Sequence, residues 1–130
     1  MQYQKAEMRC NNMQILVVDD SAVDRQFLSS LLEEMGHHVE AHDSTDGVVD
    51  KLSTGNYACL FLDIVMPEQD GYKFLREIRT NQETAQQKVV FCSSKKTSVE
   101  VKYGLRRAGA NDYITKPVSR ERLAEVLRKL

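Results

Sequence analysis

Apolar positions along the chain switch between two periods. Gln14–Val18 (QILVV) is a continuous run rich in branched side chains, the mark of a strand buried on both faces. Val23, Phe27, Leu28, Leu31, Leu32 and Met35 then recur at helical spacing, and Gly36 stands where such a helix ends. His38–His42 (HVEAH) alternates weakly and predicts a second strand. Val48, Val49 and Leu52 predict a short helix closed by Gly55. Residues 58–62 (ACLFL) are the strongest buried-strand run and lead into Asp63. Pro67 and Asp70-Gly71 mark a loop, and Phe74, Leu75 and Ile78 line one face of a helix. Residues 89–92 (VVFC) predict a fourth strand that runs into Ser93-Ser94. A poorer helix carries Val99, Val101, Tyr103 and Leu105. Asp112–Thr115 (DYIT) predicts a fifth strand before Lys116-Pro117, and Leu123, Val126, Leu127 and Leu130 predict a last amphipathic helix.

Strands alternating with helices imply an α/β fold, with a parallel sheet covered on both sides. Four of the predicted strands end on polar residues: Asp19 and Asp20, Asp63, Ser93 or Ser94, and Lys116. Open α/β sheets bind ligands at the carboxyl edge of their strands. The strand pattern alone therefore gathers these groups into one cleft.

Composition narrows the function. The 130 residues fit one domain, with an aperiodic tail expected over 1–12. Net charge is −1, which favours neither direct nucleic-acid binding nor an anionic membrane. Cys10, Cys59 and Cys92 form no CxxC pair, so neither a disulfide framework nor a zinc site is expected, and Cys59 and Cys92 read as buried hydrophobes. No apolar stretch is long enough to span a bilayer, and a reducing, cytoplasmic setting is expected. His37, His38 and His42 read as solvent-facing residues. Lys95-Lys96 and Arg106-Arg107 read equally well as a solvated basic face or as part of a partner surface.

Three carboxylates in one cleft repel each other unless a cation lies between them. A hard divalent ion with oxygen ligands answers that need, and Mg2+ suits it because it takes few carboxylates and keeps water. Lys116 adds a point charge for a phosphate oxygen, and a serine hydroxyl can bind another. Cation, lysine and hydroxyl around one carboxylate make a phosphoryl-transfer site, with Asp63 as the nucleophile that becomes an aspartyl phosphate. A helix cap, a loop aspartate and a turn lysine are the plain readings of these residues singly. None of them explains the joint pattern.

The runs LVVDDS, LFLDIVMPEQDG, the hydroxyl after VVFC, and DYITKP together resemble a bacterial two-component response-regulator receiver domain of the single-domain, chemotaxis-regulator type. The resemblance covers 13–130. It implies a flavodoxin-like, doubly wound, five-stranded parallel sheet in the order 2-1-3-4-5 with five helices. It implies that Asp19 and Asp20 hold Mg2+, that Asp63 is both phosphoacceptor and ligand, and that the Val65 backbone carbonyl is a further ligand. Lys116 is then the phosphoryl-binding lysine, often followed by a cis bond to the proline, and Tyr113 the aromatic switch that turns inward on phosphorylation. The donor implied is a sensor histidine kinase or a histidine phosphotransfer protein. The response is altered binding of a downstream protein at the face formed by helix four, strand five and helix five, in a monomer or weak dimer. No enzymatic activity is implied beyond the chain's own phosphorylation and dephosphorylation.

Strand length favours Ser93 as the switch hydroxyl, whereas an ungapped count back from Lys116 favours Ser94. A one-residue insertion near 104–109 would reconcile the two. The apolar Val65 offers nothing to place an attacking water, so slow loss of the phosphoryl group is expected. Two other classes compete. A phosphorylation-independent interaction domain would ordinarily have lost one of the key residues. An aspartate-nucleophile phosphatase of the haloacid-dehalogenase type would carry D-x-D after its first strand, where this chain has DDS.

Overall fold

The computed structural model describes residues 13–66, 69–94 and 98–130. Its elements in chain order are β1 (Gln14–Val18), α1 (Ala22–Glu34), β2 (His38–His42), α2 (Val48–Thr54), β3 (Cys59–Asp63), β4 (Val65–Met66), β5 (Gln69–Asp70), α3 (Gly71–Thr80), β6 (Val89–Ser93), α4 (Ser98–Lys102), β7 (Asp112–Thr115) and α5 (Arg120–Lys129). The main sheet runs β2-β1-β3-β6-β7, and all of its pairings are parallel. This is the expected doubly wound order. The tail at 1–12 with Cys10, and also Pro67 and Lys95-Lys96, lie outside the described residues.

Alternation along each strand divides the core between the two faces of the sheet. Leu16, Leu60, Leu62 and Phe91 pack against Leu52 of α2 and Phe74 and Ile78 of α3. Val17, Phe61, Val90 and Ile114 pack against Leu32 of α1 and Leu123 and Val126 of α5. Burial of each such side chain contributes roughly 1.5–3 kcal/mol. Both predicted cysteines are here, Cys59 and Cys92.

Two local readings are corrected, and the apolar face of α1 proves wider than the core it meets. The apolar positions of α1 span about half of the helix circumference, wider than the stripe one sheet can cover. Leu28 and Leu32 are buried, but Val23 is 78% exposed and Phe27 49%. The stretch read as a loop at Asp70-Gly71 is the start of α3: the Asp70 carboxylate caps it, accepting from the Tyr72 N–H at 2.9 Å. Ahead of it, β4 and β5 pair antiparallel, Val65 opposite Asp70 and Met66 opposite Gln69. Gly71 also sits against strand β3: a Cβ there would lie 2.6 Å from the Ile64 Cα and 2.7 Å from the Asp63 carbonyl oxygen. His37, finally, is buried rather than solvent-facing. Its Nδ1 accepts from the Met13 N–H at 3.3 Å, and burial lowers its pKa.

The weak fourth helix continues beyond α4 as a π-helical turn, Tyr103–Arg107, closed by the Ala108 N–H donating to the Tyr103 carbonyl at 3.0 Å. A π turn holds one residue more than the α-helical turn it replaces. The turn overlaps the stretch, 104–109, where a one-residue insertion would reconcile the two counts to the switch serine. Arg106 and Arg107 project from it, exposed.

Candidate functional site

The adjacency of β1 and β3, with Val18 opposite Leu62, sets Asp19 and Asp20 beside Asp63 at the carboxyl edge of the sheet. Carboxylate oxygens of all three lie within 4.8 Å of one another, the one group of this kind among the described residues. Asp19 and Asp63 are buried and Asp20 is exposed. Local hydrogen bonds fix Asp19. Its Oδ1 accepts from the Ser21 N–H at 2.9 Å, and its backbone carbonyl accepts from Arg25 Nη1 at 2.8 Å. Ser21 caps α1, accepting from the Asp24 N–H at 3.3 Å, so the first turn of the helix is anchored to the site.

Lys116, at the end of β7, reaches into this group. Its Nζ donates to Asp19 Oδ2 and to Asp24 Oδ2, each at 2.9 Å, and stands 3.8 Å from Asp63 Oδ1. Its peptide bond to Pro117 is cis. Burial alone would lower the Lys116 pKa, but the bonds to Asp24 and Asp19 and the charge of Asp63 outweigh it and raise the value. The Asp63 carboxyl is pushed up to about 7, first by burial and then by the charge of Asp19; Lys116 and the Val65 N–H work against the rise. An oxygen-only donor set whose ionised form is this unfavourable is chemically matched to a hard divalent cation. Val65 places its N–H on the Asp63 carboxylate, and its side chain is 56% exposed.

Register sets the two serines apart. Ser93 is the last residue of β6, opposite Thr115, 1% exposed, and its carbonyl accepts from the Lys116 N–H at 2.8 Å. Ser94 is exposed beyond the strand. Tyr113 is buried, with a side-chain hydrogen bond to Ser93, so the ring already lies inward. It begins an aromatic chain: Tyr113 and Phe91 at 6.2 Å between ring centroids, Phe91 and Tyr72 at 5.3 Å, and Tyr72 and Tyr103 at 4.7 Å, all edge to face. The chain joins the cleft to the π-helical turn.

The strand pattern had marked Asp19, Asp20, Asp63, Ser93 or Ser94, and Lys116, and the family resemblance had added Tyr113; of these, Asp19, Asp20, Asp63, Ser93, Tyr113 and Lys116 are brought to this edge. Asp24 had not been singled out. Its one local signal was the spacing Ser21-x-x-Asp24, an acidic residue in the first turn after a capping serine.

Residues 15–128 match the response regulator receiver domain family. Protein PilH of Pseudomonas aeruginosa is 35% identical over 114 residues, spanning 87% of this chain and 93% of PilH. The transcriptional regulatory protein HprR of Escherichia coli is 35% identical over 120 residues, 91% of this chain; the chain spans only about half of HprR, 52%. A solved receiver domain of a Pseudomonas aeruginosa sensor histidine kinase, described with magnesium coordinated in its active-site cleft, superposes with a TM-score of 0.80 at 25% identity, covering 91% of this chain and 96% of that one. With a family match over almost its whole described length, and an acidic cluster, serine and lysine at the sheet edge, the chain belongs to the response regulator receiver domain family.

Proposed function

We propose that the chain is a phosphorylation-dependent switch in which Asp63 accepts a phosphoryl group. The donor is a phosphohistidine on a sensor histidine kinase or on a histidine phosphotransfer protein. An oxygen of the Asp63 carboxylate attacks phosphorus, the P–N bond to the imidazole breaks, and the ring nitrogen keeps the electron pair and takes up a proton. The observation that carries this reading is Asp63 itself: a buried carboxylate at the strand edge, with its pKa raised to about 7 and a lysine ammonium 3.8 Å away. Such a group is poised to give its negative charge to a new bond.

Asp19, Asp20, Asp63 and the backbone carbonyl of Val65 are the proposed ligands of Mg2+. When bound, the ion supplies positive charge against the carboxylates and the incoming phosphoryl oxygens. Lys116 then meets the charge of the transferred group, and the Ser93 hydroxyl donates to one of its oxygens. Tyr113 feels the change through its bond to Ser93. The surface of α4, β7 and α5 changes its affinity for a downstream protein in consequence. The receiver unit is taken as 13–130 with 1–12 as a tail, and the setting as cytoplasmic. The chain acts as a monomer or weak dimer that does not itself bind nucleic acid, and its only chemistry is its own phosphorylation and dephosphorylation. Among the described residues, no helix is long and apolar enough to cross a membrane.

Borohydride trapping tests the acceptor. The phosphorylated chain is reduced, digested and sequenced by tandem mass spectrometry. The acyl phosphate is expected to appear as homoserine at position 63. Homoserine at position 19 or 20 instead, or at no position in a chain shown to carry phosphoryl, would contradict the assignment.

A further inference from the structure

We propose that Asp24 is a positioning residue for Lys116, a competing counter-ion that holds the ammonium off the acceptor carboxylate until a phosphoryl group arrives. The inference rests on the reading of Asp63 as phosphoacceptor. An ammonium has three N–H donors. Two are committed, to Asp19 and Asp24 at 2.9 Å each, and the 3.8 Å to Asp63 is an ion pair beyond hydrogen-bond range. Asp24 is held for this contact. It sits in the first turn of α1, its N–H donates to Ser21, and the neighbouring Arg25 ties the same turn to the Asp19 carbonyl.

A phosphoryl group on Asp63 adds new anionic oxygens that compete for the ammonium, which has one N–H uncommitted. Centring the ammonium on those oxygens draws it away from one of the two carboxylates. The Asp19 side chain is 3% exposed and that of Asp24 45%. With Mg2+ held by Asp19 that aspartate no longer depends on the ammonium, so Asp24 is the counter-ion left to compete with the phosphoryl oxygens, and water solvates it at little cost when it lets go. Asp24 is therefore the partner given up. It lines one small cleft together with Phe27, Lys116 and Pro117, so the exchange takes place at the rim of the site. Its presence stabilises the resting arrangement and opposes the phosphorylated one.

The test compares wild type, Asp24→Asn and Asp24→Glu, with two NMR readouts. The first is the 15N signal of the Lys116 ammonium in protein free of anion and Mg2+. The second is the affinity for beryllofluoride in Mg2+, followed through amide signals, which also report an intact fold. Asp24→Asn is expected to move the ammonium signal and to bind beryllofluoride about threefold tighter, the size of a half-exposed ion pair. Asp24→Glu is expected to restore both. Unchanged or weaker binding in Asp24→Asn would overturn the proposal. So would tighter binding with an unmoved ammonium signal, since bulk charge alone would then be at work. Wild type that fails to bind beryllofluoride at all would instead overturn the phosphoacceptor reading on which the proposal stands.

Discussion

The Lys116 ammonium stands 3.8 Å from Asp63 Oδ1 yet donates its hydrogen bonds elsewhere, to Asp19 and Asp24. It is the only cation recorded against the carboxylate group among the described residues, and it neutralises a buried aspartate first. Lys116→Met removes that charge and keeps the side chain's bulk. Metal-free protein with this change is expected to lose about 3 kcal/mol at neutral pH, the usual cost of leaving a buried charge unpaired. Urea unfolding measures it. A midpoint equal to wild type would show that the lysine does not stabilise the resting site.

The raised pKa of Asp63 carries a definite sign for stability. Its carboxyl titrates near 7 in the fold and at the ordinary value of 3.8 when unfolded. Between those values the folded chain holds a proton that the unfolded chain has released. The contribution is therefore fully present below pH 3.8 and is lost as the pH rises through about 7. Thermal melts without metal are expected to fall from about pH 5 to about pH 7.5, at most by about 1.4 kcal/mol per pH unit. Asp63→Asn should flatten the slope and melt higher than wild type at the upper pH. A wild-type melting point that rises across this interval would show that the carboxyl is not raised.

Gly71 is required by packing rather than by its dihedral angles. An added Cβ would meet backbone atoms of Ile64 and Asp63 at 2.6 and 2.7 Å, and backbone gives way poorly. Gly71→Ala is expected to cost about 2 kcal/mol and to shift the acceptor strand, weakening Mg2+ binding as well. Denaturant melts and a metal titration check both. A neutral substitution would mean that α3 can move away from strand β3.

Val65 presents an exposed apolar side chain two residues after the acceptor and no group that could orient water. Val65→Asn is expected to shorten the life of the phosphorylated chain about tenfold, less than the roughly hundredfold or more of a full general acid or base, because an amide can orient water but not take its proton. The decay is followed by intact mass after donor removal. An unchanged lifetime would put control of hydrolysis elsewhere in the cleft.

Much of this was legible because buried parallel strands leave unbroken apolar runs. The reading of Gln14–Val18, His38–His42 and Asp112–Thr115 coincides with the observed strands. The polar residues at the strand ends then had to converge, since parallel strands share one carboxyl edge. What stayed hidden depends on contacts between distant parts of the chain. Asp24 meets Lys116 across 92 positions, and only a capping pattern marks it locally. Strands of two residues, β4 and β5, are too short to show a period. Gly71 reads as a turn signal because the backbone it touches belongs to another element. His37 was misjudged because local polarity says nothing of which part of the surface a neighbouring element covers. The π-helical turn left one trace in the sequence, the one-residue difference between the two counts to the switch serine.

The most direct test of the central claim is intact-mass spectrometry of the whole chain incubated with acetyl phosphate, with and without Mg2+, beside Asp63→Ala. One added phosphoryl group that requires Mg2+ and is missing from Asp63→Ala is the predicted result. A folded wild-type chain that gains no phosphoryl group under any of these conditions, or a mutant that gains it as readily, would contradict the account of Asp63 as the acceptor of a phosphorylation switch.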